Sequence, residues 1–131
     1  MDNINGKWRI ALFPEFDDND GLIFLSREEM LKKKPKDKDL KFLMNTIIEI
    51  KDNKLSMQME LKGKEKEEAI KEGLTNLGGD LFECESMDLV EKNGKMCFEM
   101  GYDEANDCPH YDPLVLEDGY LIYMIYKLER I

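Results

Sequence analysis

The side chains that could ligate or react gather most densely in Asp103-Glu104-Ala105-Asn106-Asp107-Cys108-Pro109-His110-Tyr111-Asp112. This stretch holds the one histidine of the chain, a cysteine and four carboxylates. Cysteine and histidine are zinc ligands, but Cys108 and His110 have no second recognisable pair to complete a tetrahedral set. The aspartates do not follow the spacing of a helix-loop-helix calcium loop either. The stretch therefore reads as a solvated acidic loop, with no metal and no cofactor. A lone histidine also leaves no Ser/His/Asp or Cys/His set for nucleophilic catalysis. Gly78-Gly79 lacks the flanking lysine and hydroxyl residue of a phosphate cradle. The expectation is a binding protein, not an enzyme.

The elements that position any site must come from one domain, residues 1–131, because 131 residues match the common size of a single domain. Hydrophobic residues make up 42% and charged residues 37%, the balance of a packed interior under a charged skin. A net charge of −10 repels phosphate backbones and anionic headgroups, which argues against nucleic acid and membrane surfaces as partners. It leaves room for a basic protein partner. No basic segment followed by an apolar run opens the sequence, and no window reaches the ~20 apolar residues of a membrane span. Cys84, Cys97 and Cys108, odd in number and scattered, read as reduced thiols, which points to the cytoplasm.

The pattern is mostly one of strands. Lys7 to Phe13 alternates, with Trp8, Ile10 and Leu12 on one side, until Pro14 and the Asp17–Gly21 turn residues. Ser26-Arg27-Glu28-Glu29 has the form of a capping box and predicts a short helix ending before Pro35. Asn45–Lys51 and Leu55–Leu61 flank Asp52-Asn53 as a hairpin, with Leu55, Met57, Met59 and Leu61 facing in. Gly63 to Gly73 predicts a surface helix with little to bury. A long strand from Leu81 to Glu91 turns at Asn93-Gly94 into Met96, Phe98, Met100 and Tyr102. After the Asp103–Pro113 loop, Leu114–Leu116 pairs with the segment from Tyr120 through Arg130.

Hairpins in succession leave exposed edges unless the sheet closes. The fold expected is all-β, an up-and-down antiparallel β-barrel of about eight strands with a short helix after the first. Such a barrel is either filled by its own side chains or able to hold one small ligand.

Gly6-Lys7-Trp8 in the opening strand resembles the Gly-x-Trp signature of the calycin superfamily, the lipocalins and fatty-acid-binding proteins. The helix after the first strand, Thr46–Lys51 before a turn, and the terminal Tyr126-Lys127-Leu128-Glu129-Arg130 are similar to that family in order. Two features depart from it: a charged excursion at 63–79, and a helical segment shorter than a two-helix lid.

The resemblance implies that Gly6, Trp8 and Arg130 close one end of the barrel, the guanidinium packed on the indole. It implies a small apolar or amphipathic ligand held non-covalently inside the barrel, with Tyr126 or Arg130 as polar anchor, or both as a carboxylate clamp at a spacing of four. Met57, Met59, Phe98, Met100 and Tyr102, together with Met96, would line the interior, where methionine adapts to irregular apolar shapes. The alternatives are that Arg130 only caps Trp8, and that the barrel is filled and acts as an acidic protein-interaction module without a ligand.

Overall fold

Strand β1 (Gly6–Phe16) organises the molecule, because three other strands pair with it, all antiparallel. The structure, a computed structural model, describes Ile4 to Ile131. Trp8 lies between Arg130 of β12 (Tyr126–Arg130) and Ile48 of β3 (Ile47–Lys51), so those two strands occupy opposite edges of β1. Leu12 lies between Lys127 of β12 and Ser26 of β2 (Leu22–Ser26), so β2 and β3 share an edge in succession. The strand runs through Pro14, whose missing N–H is tolerated in the outer half of β1, and forms a hairpin with β2 that the sequence pattern did not announce.

Two helices fill the interval between β2 and β3. Ser26 caps α1 (Arg27–Lys33): its Oγ accepts from the Glu29 backbone N–H, and the Glu29 carboxylate accepts from the Ser26 N–H. A second helix, α2 (Lys38–Asn45), follows, capped by the Asp37 carboxylate, which accepts from the N–H groups of Asp39 and Leu40. The expectation of one short helix is corrected here. The acceptor at Asp37 and the inward pair Leu40 and Met44, four apart, form a helix the charged composition obscured.

The chain then makes β4 (Lys54–Glu60), α3 (Lys64–Glu72), β5 (Thr75–Gly78) and β6 (Leu81–Asp88). Asp52 and Asn53, both with positive φ, make the tight turn from β3 to β4. The segments β7 (Val90–Lys92), β8 (Lys95–Asp103), β9 (Cys108–Pro113), β10 (Val115–Glu117) and β11 (Tyr120–Tyr123) precede β12. The stretch read as an acidic loop is thus largely the β8–β9 hairpin, its turn held by the Asp103 carboxylate.

The chain is mostly antiparallel β, divided between two open sheets. One runs β10-β11-β12-β1-β3-β4-β6-β5 with β2 beside β1, and the other is β7-β8-β9. A single buried residue joins them at each of two places, Leu89 between β6 and β7 and Leu114 between β9 and β10. The Leu89 N–H donates to the Asn53 carbonyl and the Leu114 N–H to the Met96 carbonyl, each at 2.8 Å.

One hydrophobic cluster draws on both sheets and both helices: Trp8, Ile50 and Leu128 from the larger sheet, Phe98 from the smaller, and Met30, Leu40 and Met44 from α1 and α2. Arg27 ties the helices down, its guanidinium donating to the carbonyls of Ile10 at 2.6 Å and Met44 at 2.7 Å.

Two irregularities revise the expected faces. A β-bulge between Ile10 and Leu12 leaves Leu12 half-buried and turns Phe13 inward. The segment from Tyr120 to Arg130 is two strands, not one, turning at Met124-Ile125 with Met124 at φ +55°. Leu121 and Tyr123 are therefore buried, whereas Met124 is exposed.

Candidate functional site

At one end of the larger sheet, β1 and β12 bring Gly6, Trp8 and Arg130 together. The Arg130 guanidinium lies 4.2 Å from the centroid of the Trp8 ring, and its Nη1 donates to the Asn5 carbonyl at 2.8 Å. The Trp8 indole is buried and its Nε1–H donates to the Ile4 carbonyl at 2.9 Å, so its polar tip is satisfied. Gly6 has φ +133°, and a Cβ there would fall 2.9 Å from Arg130 Nη1. All three residue types are required by this one arrangement.

Tyr126 lies at the other end of β12. At ~3.3 Å per residue, the spacing of four puts it roughly 13 Å from Arg130 along the strand. The clamp expected from the two together does not form. Tyr126 instead packs edge-on against Phe13, the ring centroids 6.1 Å apart, while Arg130 is exposed beyond the core.

The presumed lining residues separate as well. Phe98 is 1% exposed and stacks on Tyr123 at 4.9 Å, and Met57 packs half-buried against the same cluster, so both fill the core. Met100 and Tyr102 are corrected to the surface, at 40% and 57% exposure. The cause is a β-bulge at Met100, where Glu99 pairs with Tyr111 and Gly101 with His110. Tyr102 turns its hydroxyl to the Asp107 carboxylate, which raises its pKa. Met59 is buried and borders a space open to solvent.

That space is a groove of about 440 Å³ between the β4 and β6 strands, α2 and α3. Its floor is apolar: Met59 from the end of β4 and Leu61 just after it, Phe42 from α2, Ala69 from α3, and Leu74. Cys84 adjoins them, its thiol pKa pushed up by burial, so it remains a protonated, weakly nucleophilic group at neutral pH. The rim is supplied by Glu65, Glu68 and Glu72. α3 starts after Gly63 and ends at Gly73, both with positive φ, and Lys66 fastens it to Asp80 at 2.8 Å. The Lys66 hydrogen bond holds the Asp80 carboxyl below its usual pKa.

α3 lies where the sequence predicts a surface helix, and it also walls the groove. Phe42 and α3 were not connected to Met59, because the groove exists only once the Gly63–Gly73 helix folds back beside β4 and β6.

A second apolar surface lies between the β1–β2 hairpin and the β11–β12 turn, a depression of about 400 Å³ bordered by Phe16, Leu22, Met124 and Ile125. Phe16, Leu22 and Ile125 are each about 60% exposed, at 65%, 59% and 61%. Lys127 covers one side of it, with Nζ 4.5 Å above the Phe24 ring.

Among the described residues no group of three or more His, Cys, Asp or Glu side chains is placed to hold a metal ion. Cys108 is exposed, and His110 pairs with Asp112 at 3.1 Å. No helix among the described residues is long and apolar enough to cross a membrane. The chain matches no family model, no curated protein and no solved structure.

Proposed function

We propose that this protein binds a small apolar or amphipathic ligand non-covalently, on a lipocalin-like barrel. Support for the barrel comes from the order of strand pairing. Starting at β1, neighbours follow as β3, β4 and β6; β6 passes through Leu89 into β7, beside β8 and β9. β9 passes through Leu114 into β10, and β11 and β12 lead back to β1. Taking each strand and its continuation as one, the circuit has eight strands, and the Gly6–Trp8–Arg130 arrangement stands at one end of it.

The observation that carries ligand binding is the groove beside Met59, which combines an apolar floor with solvent access. Burial of the ligand's apolar surface drives the association at ~25 cal/mol per Å². Phe98 and Met57 belong to the packed core and do not border this groove. No catalytic step is part of it, no cofactor is needed, and the net charge of −10 disfavours nucleic acid.

Titration with the neutral fluorophore Nile red tests the reading, with Met59→Ser and Phe42→Ser as variants. Saturable binding that weakens roughly tenfold in each folded variant supports it, as expected for losing ~1.5 kcal/mol of apolar contact. Binding that is absent, or equal in all three proteins, overturns it.

A second reading, an acidic protein-interaction module, is favoured by the exposed surface at Phe16, Leu22, Met124 and Ile125, which adjoins the Asp17-Asp18-Asn19-Asp20 turn. A salt-sensitive complex with a basic protein, lost in Phe16→Ser, would support it.

A further inference from the structure

We infer that the ligand of the groove beside Met59 is an amphipathic cation, an alkyl or aryl chain ending in an amine; this rests on the ligand-binding reading above. Three observations converge.

First, the groove separates its polarity. The apolar floor is formed by Phe42, Met59, Leu61 and Ala69, whereas the ionised groups on its border are the three carboxylates Glu65, Glu68 and Glu72, with no lysine or arginine among the bordering residues. A fatty acid would place its own carboxylate beside these three. An ammonium would donate hydrogen bonds to them and offset their charge.

Second, the rim is arranged by the helix. At ~100° per residue, Glu65, Glu72 and Glu68 lie on one side of buried Ala69, roughly 40°, 60° and 100° from it, while half-buried Lys66 lies roughly 60° to the other side. Lys66 is already engaged with Asp80. The sequence of α3 is mixed in charge, yet the side chains it contributes to the groove's border, Ala69 apart, are all carboxylates.

Third, two of the rim carboxylates are placed against helix preference, although Glu65 and Glu67 in the first turn and Lys71 in the last suit the dipole. Glu68 and Glu72 are like charges at a spacing of four, which repel along a helix. Glu72 also ends α3 at the negative pole of its dipole, where a cation would be favoured. A ligand cation seated between α3 and the floor answers both penalties at once. Local rules are commonly broken at functional sites for such reasons.

The experiment compares decylamine, decanol and decanoate, each well below its micellar concentration, by calorimetric titration of the intact chain at pH 7 and low salt. The expected order is decylamine tightest by roughly tenfold over decanol, with decanoate weakest, and the amine preference shrinking with added salt. The variant E65Q/E68Q/E72Q should bind decylamine and decanol equally while keeping the decanol affinity. Glu68→Gln alone should lose part of the preference and serves if the triple variant does not fold. E91Q/E99Q/E117Q, which removes the same charge elsewhere, should leave the preference intact. Equal binding of decylamine and decanol by the native chain overturns the inference and leaves the ligand-binding reading standing. A preference lost in the distant variant and kept in the groove variant also overturns it. Binding of none of the three compounds overturns both.

Discussion

Arg130 and Trp8 are cross-strand partners on β1 and β12, with the guanidinium 4.2 Å from the ring centroid and its Nη1 anchored on the Asn5 carbonyl. The arginine thus covers the exposed side of a buried indole. Arg130→Ala should lower stability by about 1–2 kcal/mol, combining an exposed cation–π contact with a charged hydrogen bond. Denaturant unfolding followed by the emission of the one tryptophan measures it, and an unchanged midpoint would contradict the role given to Arg130.

Gly6→Ala should be more damaging than Gly101→Ala, although their φ angles are nearly equal at +133° and +132°. Both substitutions impose backbone strain, but only at Gly6 does the added Cβ meet another group, Arg130 Nη1 at 2.9 Å. Part of the Gly6 effect should vanish in an Arg130→Ala background. Thermal melts of the four proteins and the double variant provide the comparison.

Arg27→Ala should cost about 2–4 kcal/mol, because it strips the Ile10 and Met44 carbonyls of their charged donor. Arg27→Lys should recover only part, since one ammonium cannot reproduce the two-pronged fork. Amide exchange in α2 should quicken in both variants. Burial first and the nearby Arg9 second pull the Arg27 pKa down.

The Tyr123 hydroxyl has its pKa pushed up to about 12 by burial first and by the Glu85 charge second. In the unfolded chain it ionises near the ordinary value of 10.0. The folded state therefore holds the proton longer, and the associated stability is intact below pH 10 and lost as pH rises towards 12. Tyr123→Phe should flatten stability over that window, whereas a slope that persists unchanged would place the titrating group elsewhere.

Thiol alkylation should proceed in the order Cys108, Cys84, Cys97, following exposed, half-buried and buried positions. Cys84 alone borders the groove, so saturating ligand should slow its reaction and leave Cys108 unaffected. Mass mapping of the alkylated peptides gives both answers.

The legible parts of the fold were those where backbone chemistry is local. Asp52-Asn53 and Asn93-Gly94 carry the positive φ values of tight hairpins in residue types that tolerate them, and Ser26 with Glu29 makes a reciprocal cap within one turn. Met124-Ile125 turns the chain just as sharply with residues that signal a strand, so Tyr120 to Arg130 reads as one segment where the chain makes two strands. The bulges at Ala11 and Met100 insert a residue without any compositional mark, which moved Phe13 in and Met100 out. Gly6, Trp8 and Arg130 were readable as a set through the resemblance, whereas the groove depends on three separate segments and on the return of α3.

One edge of β1 takes its partner from far along the chain: Arg9 meets Glu129 across 120 residues, and the Ile131 N–H donates to the Lys7 carbonyl. During synthesis, β1 emerges with one of its two edges unmatched until β12 has followed it. The β3–β4 hairpin can form within that time, but the Trp8 face must wait. Folding should therefore finish in one late, cooperative step governed by the cost of bringing distant segments together. A chain truncated before Tyr126 would be held open along β1, exposing a bare strand edge that invites association with other chains.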